Sequence, residues 1–296
     1  MKIIFKRITT QLVLLLGLCG TAAAQMPDLD ALEFRTTDLG HGIYMLQGFG
    51  GNIGVSIGDD GVFVVDDDIP PLTPKVIAAI GSLTDRPVDF LINTHWHGDH
   101  TGANQALATS GAVIVAHDNV RVRMAADGPK QSPHDALPVI TFSDNVTFHF
   151  NGIEIRASHP ENAHTDGDSV IQFIGLDIVH AGDVMFNGFF PFIDLDSGGS
   201  IEGYITALEA LEQMVGPDTV IISGHGPIAN KADVNAKLAM LKDSKDIVSK
   251  LIEEGMSLEQ VKAAEPLAKY HADWEWQFIT TERMTETFYR GLTAGE

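Results

Sequence analysis

The chain has 296 residues, 44% of them hydrophobic and 20% charged, with 40 acidic against 19 basic side chains. That length suits one large α/β unit with a sizeable core, and the composition is globular rather than disordered or fibrous. A formal charge of −21 sets the chain against polyanions, so nucleic acid and anionic lipid surfaces are excluded as expected partners.

Lys2, Lys6 and Arg7 form a basic head, residues 12–19 an apolar run too short to span a bilayer comfortably, and Ala22-Ala23-Ala24 a small-residue cleavage site. Together they read as an export leader over residues 1–24, with residues 25–296 as a single periplasmic or secreted domain. Cleavage would remove Cys19, the only cysteine, and three cations, taking the charge from −21 to −24. The mature chain then has no disulfide and no thiolate metal ligand. Bulky Leu18 directly before Cys19 argues against a lipid anchor. No later segment is long and apolar enough to cross a membrane, so the mature protein is expected off the membrane.

Residues 34–68 alternate strand-like runs with Gly-rich breaks, and Asp59-Asp60-Gly61 is a hairpin signal. Thr73 with Pro74 predicts a helix start, running to Gly81. Residues 88–93 (VDFLIN) read as a short buried strand, followed by a helix from Asp99 to a stop at Gly111. A strand over 112–116, a helix over 117–127 and a β-rich block over 139–155, turning at Asn151-Gly152, come next. Strands are expected at 169–174 and 177–181. Ser200 opens a helix carrying Tyr204, Leu208, Leu211 and Val215 on one face, stopped by Gly216-Pro217. A strand over 219–222 leads into Gly224-His225-Gly226-Pro227. The remainder is mainly helical, with a capping-box pattern at Ser257 and Gln260. Two β-rich blocks, each followed by helices, point to an αβ/βα sandwich, although periodicity alone does not establish one.

The densest chemistry lies at His95-Trp96-His97-Gly98-Asp99-His100, on the turn that leaves strand 88–93. Imidazole and carboxylate are the ligands zinc takes when cysteine is absent. So close a cluster of imidazoles is costly to assemble without a cation. Three later segments have the same look: His164 in AHTDGD, Asp183 in AGD, and His225 in GHGP. Singly each is weak, since a lone histidine is more often structural and Gly-Asp more often a turn. In this order behind the first motif they form a strong signal.

With these motifs the sequence resembles the metallo-β-lactamase superfamily, whose His-x-His-x-Asp-His signature stands here as His95, His97, Asp99 and His100. The resemblance runs from about residue 43 to 227. It implies a four-layer αβ/βα sandwich with a dinuclear metal site at one edge of the sheets. It also implies that His95, His97 and His164 hold one metal, that Asp99, His100 and His225 hold the second, and that Asp183 bridges them. The absence of a cysteine ligand and the presence of His100 bring the chain nearer the glyoxalase-like and lactonase-like branches than the cysteine-bearing β-lactamase branch. By the same resemblance Asp66 accepts an N–H from a ligand histidine. As a bare sequence feature, Asp66-Asp67-Asp68 reads equally as a solvated strand end.

Two Zn2+ ions are the expected cofactors, with iron or manganese also suited to these ligands. Two cations sharing a water lower its pKa towards neutral and polarise a carbonyl. Asp99 is the expected catalytic carboxylate, orienting that water and passing on its proton. The function expected is an exported, β-lactamase-like hydrolase of an amide or ester in a small-molecule substrate. A lactonase or thioester hydrolase is the alternative, and a metal-binding protein that kept the fold is the non-enzyme reading. Redox chemistry is disfavoured, because the diiron flavoprotein branch has a glutamate where this chain has His97. His159, five residues before His164 and so able to lie near the site, is expected to be structural; Trp274, Trp276 and Phe278, near the C-terminus, could line a pocket, although aromatic residues in a terminal helix usually pack. The oligomeric state is not legible. Between Asp183 and His225 there is no Lys or Arg, while Phe186, Phe189, Phe190 and Phe192 offer an apolar wall and Asn187, Ser197, Ser200 and Ser223 offer polar groups. A substrate carboxylate would find no cation there; Arg121, Arg123 and Lys130 are the bases nearest the motifs.

Overall fold

The computed structural model describes residues 28–129 and 131–294. The leader expected over 1–24, with Cys19, and Lys130 lie outside the described residues. Seven strands form one sheet in chain order: β1 (Arg35–Gly40), β2 (Ile43–Gln47), β3 (Ile53–Ile57), β4 (Val62–Val65), β5 (Phe90–Ile92), β6 (Val113–His117) and β7 (Ile140–Phe142). Pairing is antiparallel from β1 to β4 and parallel from β4 to β7. The second sheet contains β8 (Asn145–Phe150), β9 (Ile153–Ser158), β10 (Val170–Phe173), β11 (Ile178–Phe186) and β12 (Val220–His225), in the spatial order β12-β11-β10-β9-β8. Only β11 and β12 are parallel there. The helices are α1 (Thr73–Gly81), α2 (Asn104–Thr109), α3 (Asp118–Ala125), α4 (Ile201–Met214), α5 (Lys231–Glu253), α6 (Leu258–Ala263), α7 (His271–Trp274) and α8 (Thr281–Thr293).

Strand periodicity builds the layers. In β4, Phe63 and Val65 point into the gap between the sheets, while Val62 and Val64 point out towards α1 and α2. Both faces are buried, so β4 reads as an unbroken apolar run. In the gap, Met45, Phe63 and Ile92 of the first sheet meet Ile155, Ile171 and Phe173 of the second. The Phe63 ring packs edge-on against Phe148 at 4.9 Å. The outer face of the second sheet carries Val179, Ala181 and Ile221, covered by Tyr204, Leu208 and Leu211 of α4, Val234 and Leu241 of α5, and Phe288 of α8. The result is the expected four-layer αβ/βα sandwich. Among the described residues no helix is long and apolar enough to cross a membrane.

Three local departures from the sequence expectations shape the site. The helix expected from Asp99 is α2 and starts only at Asn104. The backbone before it is held from outside: Gly102 N–H donates to Asp68 O at 2.9 Å, Ala103 N–H to Asp67 Oδ1 at 3.0 Å, and Asn93 Nδ2 to His100 O at 3.0 Å. Turns therefore replace the first helical turn. The block expected over 139–155 divides between sheets, with β7 parallel to β6 in the first and β8 opening the second. Strand β11 extends past residue 181 and takes Asp183 into the sheet, with a register shift around Gly182, whose φ is +50°. Such a bulge re-aims the side chain that follows it. Elsewhere the capping expectations hold: Ser200 accepts from Gly203 N–H at 2.9 Å, and Ser257 with Gln260 closes a reciprocal box. Thr73 is the first residue of α1 rather than its cap, because a 3-10 turn over Pro70–Leu72 precedes it.

Lys237, on α5, is fully buried. Its Nζ donates to Phe189 O at 2.6 Å and sits 4.8 Å over the Trp274 ring. Burial pulls its pKa well below the ordinary lysine value. A lysine that loses its proton more readily folded than unfolded makes folding release a proton, so stability rises with pH from the folded pKa up to about 10.4. The melting temperature should therefore climb between pH 7 and 10 relative to that of Lys237→Met. A constant difference across that range would mean that Lys237 ionises as a solvated lysine does.

Candidate metal centre

The site forms where the parallel strands of both sheets end, the edge at which open α/β sheets place ligands. Asp66 follows β4, His95 follows β5, Asp183 lies within β11 and His225 ends β12. His164 comes from the loop between β9 and β10. The side chains converge in two groups, His95, His97, His164 and Asp183 in one and Asp99, His100 and His225 in the other, with the donor atoms of each within 4.8 Å of one another. These are the seven residues expected from the sequence.

In the first group His97 Nδ1 lies 3.0 Å from His95 Nε2 and 2.9 Å from His164 Nε2. Asp183 Oδ2 is 3.7 and 3.4 Å from the same two Nε2 atoms. Donors around a tetrahedral ion with bonds of about 2.0–2.1 Å stand roughly 3.3 Å apart. In the second group His100 Nε2 and His225 Nε2 are 3.4 Å apart, and Asp99 Oδ2 is 3.8 and 3.3 Å from them. Asp183 Oδ1 reaches into this group, 3.2 Å from His100 and 3.5 Å from His225. One carboxylate thus faces both groups, one oxygen to each.

The donor set fits a pair of cations. Asp183 Oδ1 is buried and receives no hydrogen bond of good geometry despite its imidazole neighbours. Three imidazole nitrogens aimed at one another satisfy one pair at most by hydrogen bonding, whereas one cation satisfies all three. Burial holds His164 neutral, with its pKa lowered to about 4, and pushes His95 down as well. Neutral imidazole is the form that binds metal. Burial opposes charge on His225 too, but Asp183 and Asp99 outweigh it and raise its pKa to about 9. Asp183, which burial would raise, is held well below the carboxylate range, chiefly by His100 and His225.

Asp66 is no solvated strand end: Asp66, Asp67 and Asp68 are each fully buried. Asp66 Oδ2 pairs with His100 Nδ1 at 2.8 Å and accepts from Thr94 Oγ1 at 2.7 Å, while Oδ1 accepts from Thr94 N–H at 2.7 Å. Thr94 Oγ1 in turn lies 3.1 Å from His95 Nδ1. One carboxylate therefore orients two ligand rings, the partnership expected for metal-binding histidines. Asp68 accepts from Phe49 and Gly50 N–H, holding that loop over the site. Gly224 packs so closely against Asp183 that a Cβ there would meet Oδ1 at 2.1 Å.

The groups open into a cavity of about 660 Å³ lined by Phe49, Trp96, Phe186, Phe192, Trp276 and Phe278, with Asp194, Asp196 and Ser197 as further polar groups. Trp276 and Phe278 take the pocket-lining alternative and face the cavity, because the chain between α7 and α8 folds back over β11, with Trp276 6.2 Å from the Phe186 ring. Trp274 does pack, on Lys237. Of the expected wall, Phe186 and Phe192 reach the cavity, Phe190 is buried, and Phe189 stacks near Trp276. Of the polar candidates only Ser197 lines it; Asn187 donates to Ile228 O, Ser200 caps α4 and Ser223 donates to Pro227 O. His159 stacks on His117 at 3.8 Å, with Nδ1 2.7 Å from Asp168 O, a structural pairing. Arg123 is held bidentately by Asp166 at 2.6 and 2.7 Å, and Arg121 donates to Pro138 O.

The metallo-beta-lactamase superfamily model matches residues 46–225, the span that carries all seven ligand-type residues. The chain belongs to the metallo-beta-lactamase superfamily. Solved structures of this superfamily share its fold. A metallo-beta-lactamase from Pontibacter korlensis superposes with a TM-score of 0.62 at 18% identity, covering 71% of this chain and 100% of that one. The DIM-1 metallo-beta-lactamase gives 0.60 at 17% identity, over 71% of this chain and 97% of that one. The inverting sec-alkylsulfatase Pisa1 from Pseudomonas sp. gives 0.65 at 15% identity, over 89% of this chain and 51% of that one. In sequence, the chain is 28% identical to the 2,4-dinitroanisole O-demethylase subunit alpha of Nocardioides sp. (strain JS1661) over 138 residues, 44% of this chain and 40% of that relative.

Asp183 and Asp166, two carboxylates in Gly-containing segments of the chain, should separate by experiment. Asp183→Ala should lose bound metal, since it removes the group shared by both clusters. Asp166→Ala should keep its metal, since it only releases Arg123. Equal metal loss in the two, read by elemental analysis, would place the bridging carboxylate elsewhere.

Proposed function

We propose that this superfamily member is a dinuclear zinc hydrolase acting on an uncharged, largely aromatic small molecule, by cleavage of an ester, lactone or related bond. The observation that carries the reading is the cavity beside the two ligand groups. Six aromatic rings line it and, among the described residues, no Lys or Arg does. Two cations held by His95, His97, His164 and Asp183 and by Asp99, His100 and His225 would supply a water of lowered pKa and a Lewis acid for the bond that breaks.

This chain's residues do the rest. Asp99 has its side chain about one-third exposed to the cavity and one oxygen 3.3 Å from His225 Nε2, so it is the carboxylate placed to take a proton from the nucleophile and release it to the leaving group. Its carboxyl is kept ionised: burial would raise its pKa, but His100 and His225 hold it below the carboxylate range. Trp96, Phe186, Phe192 and Trp276 exclude water and orient an apolar group by stacking. Among the described residues no Lys or Arg lines the cavity to meet a substrate carboxylate, so one charge-assisted hydrogen bond of about 1.5–3 kcal/mol is missing. That favours neutral substrates over β-lactams, most of which carry a carboxylate. The relative named above acts on a neutral aromatic ether, which agrees with this preference. A lactonase or thioester hydrolase would use the same site. Export through the basic-apolar leader, to the periplasm or outside the cell, is part of the proposal.

The protein purified without chelator should carry close to two metals per chain, chiefly zinc, and lose activity and melting temperature when stripped. Active protein free of transition metal would refute the reading. Neutral aryl esters or lactones should exceed a chromogenic cephalosporin in kcat/KM by about tenfold or more, with the deficit mainly in KM. Low-micromolar KM for the cephalosporin would overturn the substrate assignment. Mass spectrometry of the exported form should find its first residue near Gln25.

A further inference from the structure

The first ligand group is gripped from one loop whose function no sequence motif announces. This loop follows β11 and contains Phe192 and Asp194. His97 aims Nδ1 at His95 and His164, and its other nitrogen, Nε2, lies 2.9 Å from Asp194 Oδ2. His164 aims Nε2 inward, and its Nδ1 lies 2.6 Å from Phe192 O. A ring nitrogen facing an oxygen that cannot donate must carry the proton, so the inward nitrogen is left with its lone pair. Two residues of this loop thereby select the metal-binding tautomer of two of the three imidazoles. Asp194 is also fixed itself: its N–H donates to His164 O at 2.9 Å, and its Oδ1 accepts from Ser197 N–H at 3.2 Å.

The loop's outer side is pinned to α8. Arg290 Nη2 pairs with Asp196 Oδ1 at 2.7 Å, and the Arg283 guanidinium lies 5.2 Å from the centre of the Phe192 ring. Helix α8 falls beyond residue 225, where the superfamily match ends. Phe192 also stacks on His97 at 5.8 Å and lines the cavity, so this loop joins metal holding to substrate contact.

We propose that Asp194 is a positioning residue for the first metal: it holds His97 with Nδ1 deprotonated and turned inward, and so sets the affinity of that site. This rests on the dinuclear reading above. The alternative partners are poor. Asp196 is engaged by Arg290, and Asp183 Oδ2 faces the inward nitrogens of His95 and His164. An unheld His97 would spend part of its time in the other tautomer or rotated away, and each such state must be reversed before metal binds.

The test is metal affinity rather than turnover, read by competition of Zn2+ and Co2+ with a chromophoric chelator, together with the Co2+ absorption spectrum. Asp194→Ala should weaken one of the two metals by about 10–100-fold, the range for loss of such a partner. Asp194→Asn, which keeps a neutral acceptor and the turn contact to Ser197, should recover part of that affinity. Arg290→Ala, which loosens the same loop without touching a ligand, should keep parental affinity. Parental affinity in Asp194→Ala, or an equal loss in Arg290→Ala, would overturn the assignment to Asp194 while leaving the dinuclear reading intact. A parent chain that binds no metal would overturn both.

Discussion

The structure is built around one electrostatic constraint: the Asp183 carboxylate, buried, with four imidazoles 3.2–3.7 Å from its two oxygens and His97 and Asp99 completing the two ligand groups. Such a cluster is unfavourable on its own. Imidazole nitrogens 2.9–3.4 Å apart compete for protons, and a buried carboxylate oxygen lacks a donor of good geometry. Cations would relieve both conditions at once. The surrounding structure holds the groups in place. The bulge at Gly182 aims Asp183, the missing side chain of Gly224 makes room for it, and turns before α2 fan out the residues of the first motif.

Around that cluster lies a shell of fixed acceptors. Asp66 reaches His100 directly and His95 through Thr94, Phe192 O serves His164, and Asp194 serves His97. The acceptors come from different layers. Asp66 and Thr94 belong to the first sheet's edge, while Phe192 and Asp194 follow the second. The apolar filling between the sheets, including Phe63 and Phe173, therefore sets the distance between the two halves of the site. A packing change there would be felt as ligand geometry.

Substrate space is decided by yet another layer. Trp276 and Phe278 reach the cavity because the chain turns back between α7 and α8, and Trp276 Nε1 fastens that return to Phe190 O at 3.0 Å. Buried Lys237 ties α5 to Phe189 in the same loop. The C-terminal helices thus shape a pocket whose chemistry is furnished entirely by the residues before them. Members of the superfamily with the same ligands and different C-terminal segments would present different walls to the same reactive centre.

The ligand set was legible because metal chemistry restricts residue type. His95, His97, Asp99 and His100 crowd one turn, and His164, Asp183 and His225 each stand in a glycine-containing strand or loop motif, so type and order sufficed to find them. The layered fold was legible from strands buried on both faces and helices with one apolar stripe. Asp66 was half legible, since three aspartates after a strand look alike whether solvated or buried. Asp194 was not legible at all. In PFIDLDSGG nothing distinguishes it from Asp196, yet one holds a ligand histidine and the other an arginine on α8. Trp276 and Phe278 were ambiguous for the same reason: an aromatic ring packs or lines a cavity according to what lies opposite. The sequence by itself determined which atoms can bind metal, because that is a property of single side chains. Only the tertiary structure decided which acceptors orient them and which rings meet a substrate, because those are relations between residues far apart in the chain.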